Sequence, residues 1–173
     1  MTSLEQNTCF DAWLKQHAAM LHHVVQGFAD PSDQDDLRQD VLLAVWRAVP
    51  AFRGQSQLST FVYRVAHNAA LTWRRTRLNY RQRVDRYEAL NAPLKVASSS
   101  PSEGQRESLA LLYHHIRALP PLDRSLILLH LDGVSYGEIA GIHGLSESNV
   151  GVRLNRAKKK LTDSMKALSD ELR

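Results

Sequence analysis

From Phe10 to Phe28 apolar side chains return every third or fourth residue, at Phe10, Trp13, Leu14, His17, Leu21, Val24, Val25 and Phe28. That is the stripe a helix buries along one face. The same spacing recurs at Leu37, Val41, Val45, Ala48 and Phe52, then at Phe61, Val62, Val65 and Ala69, and again at Leu109, Leu112, Tyr113, Ile116 and Leu119. No stretch alternates apolar and polar residues as a half-buried strand would. The chain is therefore expected to be all-α.

Punctuation places the helices. The first runs over roughly 9–28 and breaks at Ala29-Asp30-Pro31, since proline disfavours helix at the residue before it, with Ser32 or Asp33 as cap of the next. Pro50 and Gly54 end the second helix. Helical character then fades through an Arg-rich stretch to about Tyr87. Residues 90–104, rich in Ala, Ser and Pro, have the composition of a flexible connection. Pro120-Pro121 stops the fourth helix, and Leu122 to Leu131 form a fifth that ends at Gly133. The expected organisation is two small helical domains, 1–89 and 105–173, joined by the linker 90–104.

The remaining residues carry helix-turn-helix grammar. Ser135 and Glu138 make a capping box, Ile139, Ala140 and Ile142 form a short helix, and Gly144 supplies the turn. Ser146 then caps a second helix whose Val150 and Leu154 fill the wedge. That helix runs on into Arg153, Arg156, Lys158, Lys159 and Lys160, as phosphate contact beside a major groove requires. A merely structural helical hairpin is the plainer alternative.

Charge is partitioned along the chain. Residues 1–50 carry 3 basic and 7 acidic side chains, residues 51–100 carry 9 and 2, and residues 101–173 carry 10 and 9. The basic middle places Thr60, Arg64, Asn68, Leu71 and Arg75 on one helical face, with Arg74, Arg77, Arg81, Arg83 and Arg86 following and Tyr63, Trp73 and Tyr80 interleaved. Arginine with aromatic residues suits single-stranded bases. Core packing is the competing account of the aromatics.

Other classes lack their signatures. Cys9 is the only cysteine, so no internal disulfide forms and a reducing, cytoplasmic setting is the simplest reading. No signal peptide or membrane span is expected. The adjacent pairs His22-His23 and His114-His115 point about 100° apart on a helix, and no phosphate loop or paired nucleophile and base is present. Neither enzyme activity, metal nor cofactor is expected.

Two sets of residues resemble a known family. Asp35-Asp36-Leu-Arg-Gln39-Asp40 through Trp46-Arg47, Phe52-Arg53-Gly54, and Thr60-Phe61-Val-Tyr63-Arg64-Val-Ala66-His-Asn68 resemble region 2 of the extracytoplasmic-function (ECF) sigma factors of the sigma-70 family. Leu119-Pro120, Arg124, Asp132-Gly133, Ser135-Tyr136, Glu138-Ile139-Ala140 and Val150 to Ala157 resemble their region 4. The resemblance implies a subunit that binds core RNA polymerase through its clamp helices and flap, melts the -10 element with region 2 and reads the -35 duplex with region 4. It implies that Asp36, Gln39, Asp40 and Trp46 face the polymerase. Arg53, Thr60, Arg64, Asn68, Arg74 and Arg75 would lie near the melted -10 strand, and Asn149, Val152, Arg153, Asn155, Arg156 and Lys158 at -35. An anti-sigma protein is a frequent partner in that family, though no residue here identifies one.

The chain departs from the family pattern at Asp40, usually glutamate, at Leu42, usually phenylalanine, and at Gly151-Val152, which replace a frequent basic residue and serine. Glycine within a helix costs about 1 kcal/mol relative to alanine. The rival reading is a conventional helix-turn-helix regulator that never touches polymerase. It accounts for residues 135–160 equally well but leaves the acidic second helix and the basic face unexplained.

Overall fold

The computed structural model describes residues 2–88 and 104–171, with side chains described over 2–80 and 108–166. Seven α-helices follow in order: α1 (Ser3–Phe28), α2 (Gln34–Ala48), α3 (Leu58–Glu88), α4 (Gly104–Ala118), α5 (Pro121–Leu131), α6 (Tyr136–His143) and α7 (Glu147–Glu171), with short 3-10 turns at Pro31–Asp33 and Val49–Ala51. Among the described residues there is no strand. The expected linker lies, except for Gly104, outside the described residues.

α1 begins seven residues earlier than its apolar stripe, at Ser3. Thr2 and Glu5 form a capping box, the Thr2 amide donating to Glu5 Oε2 at 2.8 Å and Thr2 Oγ1 accepting from the Glu5 amide at 3.3 Å. The first turns bury nothing, Leu4 being 77% exposed, so apolar spacing could not reveal them. The helix kinks at buried His17. At the start of α2 Asp33 makes no capping bond, and its carboxylate pairs instead with Arg77 of α3.

α1, α2 and α3 form the first lobe. Leu37, Val41 and Val45 of α2 face Trp13, Leu21, Val24 and Val25 of α1 and Val62, Ala66 and Ala70 of α3. Trp13 meets Phe52 and Phe61 edge to face, with centroids 5.6 and 6.0 Å apart. The buried face of α3 is turned from the expected one. Phe61, Val65 and Ala69 are only half-buried, while Val62, Tyr63, Ala66, His67 and Ala70 are covered, because α3 packs on two sides rather than one.

α4 to α7 form the second lobe around Tyr113, Ile116, Ile139, Val150, Leu154, Ala157 and Leu161. α5 carries six consecutive buried residues, Arg124 to Leu129. A helix buried all round is a central one. It packs on α7 within its own lobe and on α1 of the other, so one apolar core runs through both lobes. At this seam Gly27 lies so near Leu128 that a Cβ there would sit 2.6 Å from Leu128 Cδ1. Glycine is what permits the approach.

Candidate functional site

The acidic helix offers one exposed row. Asp36, Gln39 and Asp40 are all solvent-facing on α2, opposite the buried Leu37, Val41 and Val45. Asp40 also edges a groove of about 790 Å³ between α2 and α3, which Leu43, Asn68, Trp73 and Tyr80 share. Trp46 is placed differently from these three. Its indole N–H donates to Asn7 Oδ1 at 2.9 Å, and its carbonyl accepts from Gln6 Nε2, also at 2.9 Å. Half-buried, it ties α2 to the first turns of α1.

On α3 the polar face forms as its spacing requires. Arg64, Asn68 and Arg75 are exposed along one side, Leu71 is half-buried between them, and Thr60 is half-buried near the helix start. Arg53 stands apart in the loop before α3, donating to the Pro50 carbonyl at 3.3 Å. Arg74 leaves the row. It turns into a crevice between the lobes beside Arg124.

The interleaved aromatics divide. Tyr80 is 60% exposed, and Trp73 is half-buried in the groove. Tyr63 is 1% exposed, and its hydroxyl lies 2.8 Å from Ser125 Oγ and donates to the Ser125 carbonyl at 3.2 Å. Burial drives its phenol pKa far upward, so it stays protonated. In this arrangement Tyr63 belongs to the seam and is not a stacking platform for bases. His67, stacked on Tyr63 at 5.8 Å, meets His143 of α6 edge to face. Burial and then the charge of His143 lower the His67 pKa to about 4.

The seam also borders part of the polar row. Arg64, Asn68 and Leu71 line a crevice of about 390 Å³ with Pro121, Leu122, Ile142 and His143 of the second lobe. Sequence spacing could not show this, because periodicity identifies a buried face without saying what covers it.

The helix-turn-helix is built as its caps specify. Ser135 Oγ accepts from the Glu138 amide, Glu138 Oε2 accepts from the Ser135 amide, and Gly144 adopts φ 66°, the left-handed turn that an L side chain resists. Ser146 Oγ accepts from the Asn149 amide at the start of α7. Val150 and Leu154 are fully buried, leaving Asn149, Val152, Asn155 and Arg156 in solvent and Lys158 half-buried. Val152, 46% exposed, is an apolar side chain on an otherwise polar face. Arg153 is engaged within the fold, its guanidinium 2.8 Å from Asp123 Oδ1 of α5. Gly151 lies inside a continuous helix, and a Cβ there would meet only Tyr136 at 3.6 Å, an ordinary contact.

Comparison with known proteins matches these two lobes separately. The family described as Sigma-70 region 2 matches residues 9–79, and that described as Sigma-70, region 4 matches residues 109–161. The chain is 30% identical over 153 residues to the ECF RNA polymerase sigma-E factor of Escherichia coli (strain K12), covering 84% of this chain and 80% of that protein. It is 27% identical over 170 residues to RNA polymerase sigma factor YlaC of Bacillus subtilis (strain 168), covering 94% and 95%. Among solved structures it is similar in fold to CnrH in complex with the cytosolic domain of CnrY, with TM-score 0.65, 23% identity and coverage of 93% and 90%. It is likewise similar to the RpoE sigma factor of Bartonella quintana in complex with the anti-sigma factor NepR, with TM-score 0.69, 21% identity and coverage of 90% and 95%.

Proposed function

The chain belongs to the sigma-70 family as an ECF RNA polymerase sigma factor, and from that premise we propose how its residues divide the work of promoter-specific initiation. The observation that carries the reading is the ordered pair of matches, region 2 on residues 9–79 and region 4 on 109–161, together with a 30% identical relative spanning most of the chain. A regulator that never meets polymerase would need only the second. Sigma factors are initiation factors rather than enzymes. Among the described residues no helix is long and apolar enough to cross a membrane, and we assign the chain to the cytoplasm, where its polymerase works.

The domain boundaries proposed are 1–89 and 105–173 with a connection between them. In the first, Asp36, Gln39 and Asp40 form an exposed acidic row suited to a basic protein surface, here the polymerase clamp, and Trp46 fixes the angle of that row. Arg64, Asn68 and Arg75 face the unpaired -10 strand, with Thr60 and Arg53 at its edge. Tyr80 and Trp73 are the aromatics exposed enough to stack. In the second, Asn149, Val152, Asn155 and Arg156 enter the -35 major groove, and Lys158 lies toward phosphate. Arg153 holds α7 to α5. The linker, about fifteen residues at roughly 3.3 Å each, reaches about 50 Å when extended, enough for one chain to touch both elements. The partners are core polymerase, promoter DNA and, by likeness to a neighbour crystallised with an anti-sigma factor, a restraining protein of that kind.

Transcription from a promoter library with core polymerase tests the reading. Defined start sites that depend on this chain are expected. Asn68→Ala should impair permanganate-detected melting at -10 while leaving binding to an isolated -35 duplex intact, and Arg156→Ala should do the reverse. Tight duplex binding with no change in polymerase output would favour the regulator.

A further inference from the structure

A second crevice at the seam, about 190 Å³, gathers four guanidinium groups: Arg74 and Arg77 from α3, Arg117 from α4 and Arg124 from α5. Two carboxylates face them. Arg77 pairs with Asp33, and Arg117 Nε lies 3.2 Å from Asp30. Among the described residues neither Arg74 nor Arg124 has a carboxylate within ion-pair distance, so the crevice holds two positive charges in excess.

Arg124 is the more exacting of the two. Only 1% exposed, it lies 5.0 Å from the centroid of the Phe28 ring, and one terminal nitrogen donates to the carbonyls of Arg117 and Leu119 at the end of α4. That capping role explains one nitrogen. Its Nε is buried without an acceptor. Burial, then Arg74 and Arg117 as like charges, lower the Arg124 pKa to about 10, with Asp30 offsetting only part. A buried cation is ordinarily matched by a counter-charge, and here, among the described residues, Asp30 offsets it only in part.

We propose that this crevice binds a compact phosphate dianion, inorganic or the terminal phosphate of a nucleotide, between Arg74 and Arg124. The planar fork of Arg74 suits bidentate phosphate oxygens, Arg124 adds its charge while one of its terminal nitrogens stays on the α4 carbonyls, and a charge of about −2 matches the excess where a single carboxylate would leave half of it. The volume admits phosphate or pyrophosphate and excludes a duplex. Because Arg74 belongs to the first lobe and Arg124 to the second, the bound anion bridges them and favours the packed arrangement over the separated one. This goes beyond the promoter-binding role and does not depend on it.

Thermal unfolding of the full chain, titrated with pyrophosphate, inorganic phosphate or a nucleoside diphosphate at matched ionic strength, tests the site. A saturable rise in Tm is expected, with affinity weakened by roughly tenfold or more in Arg74→Gln. Arg75→Gln, which removes the same charge outside the crevice, should retain the rise. Arg74→Lys, keeping charge but not the fork, should bind with intermediate affinity. Tighter binding of the nucleoside diphosphate than of pyrophosphate assigns the nucleotide source, and equal binding the inorganic one. A rise that never saturates and is matched by chloride, or one equal in Arg74→Gln and the unaltered chain, overturns the proposal.

Discussion

His67 of α3 and His143 of α6 meet across the seam between the lobes, ring centroids 5.3 Å apart and planes at 87°. His143 Nε2 also lies 3.1 Å from Ser125 Oγ, which in turn contacts the Tyr63 hydroxyl. Both imidazoles have lowered pKa values, His67 by burial and then by His143, His143 by burial, and Arg64 lines the crevice beside them. At neutral pH both are uncharged.

That arrangement fixes a sign for the pH dependence of stability. The unfolded histidine, near 6.5, takes up a proton before the folded one, near 4, so stability falls as pH drops from about 6.5 toward 4. For His67 the full loss is roughly 3 kcal/mol. His67→Phe should flatten the fall in Tm between about pH 7 and pH 5. Parallel slopes for both proteins would show that the seam histidines are not its source.

Gly27→Ala should destabilise the packed chain by about 1–3 kcal/mol, because Leu128 is fully buried and has no room to give way. The double variant Gly27→Ala, Leu128→Ala should recover part of that loss beyond additivity, measured by denaturant unfolding. Strict additivity would mean the two residues do not meet.

Lysine at both Asp36 and Asp40 should weaken binding to core polymerase while changing stability by no more than about 0.5 kcal/mol, since neither exposed carboxylate has a partner among the described residues. Trp46→Ala should lower Tm as well, because it also removes the indole's bond to Asn7 in the first turns of α1. Unchanged core affinity for the folded lysine variant would remove the acidic row from the polymerase contact.

Arg156→Ala should cost on the order of 1–3 kcal/mol in -35 duplex binding if it reads a base, with Tm unaltered. Arg153→Ala should instead lower Tm, and Asp123→Ala should lower it without a further loss in the pair. A Tm change for Arg156→Ala alone would reverse the two roles.

What was readable in the sequence is set by local chemistry. The capping box at Ser135, the left-handed Gly144 and the stop at Pro120-Pro121 act over three or four residues, and each stands where its spacing put it. The start of α1 depends on Thr2 and Glu5, the same kind of signal, but no apolar periodicity drew attention to it. The seam was not legible. Tyr63 and His67 follow Val62 and Ala66 by one position, and Arg124 follows ordinary amphipathic spacing. Nothing in either pattern says that residues 62 and more positions apart share hydrogen bonds. Long-range pairing decided which aromatic is buried and which is exposed.

α3 runs unbroken for 31 residues, and one rod carries the exposed Arg64 and Asn68 next to the seam residues Tyr63 and His67. The rod therefore imposes an order of events. Arg64 and Asn68 are exposed, but the second lobe edges the crevice they line, so on the proposed reading a strand that must also enter that crevice awaits a unimolecular separation whose rate no amount of DNA can raise. Capture of a -10 single strand should become independent of strand concentration at a plateau set by that separation, giving the chain an internal clock ahead of its first contact with a promoter.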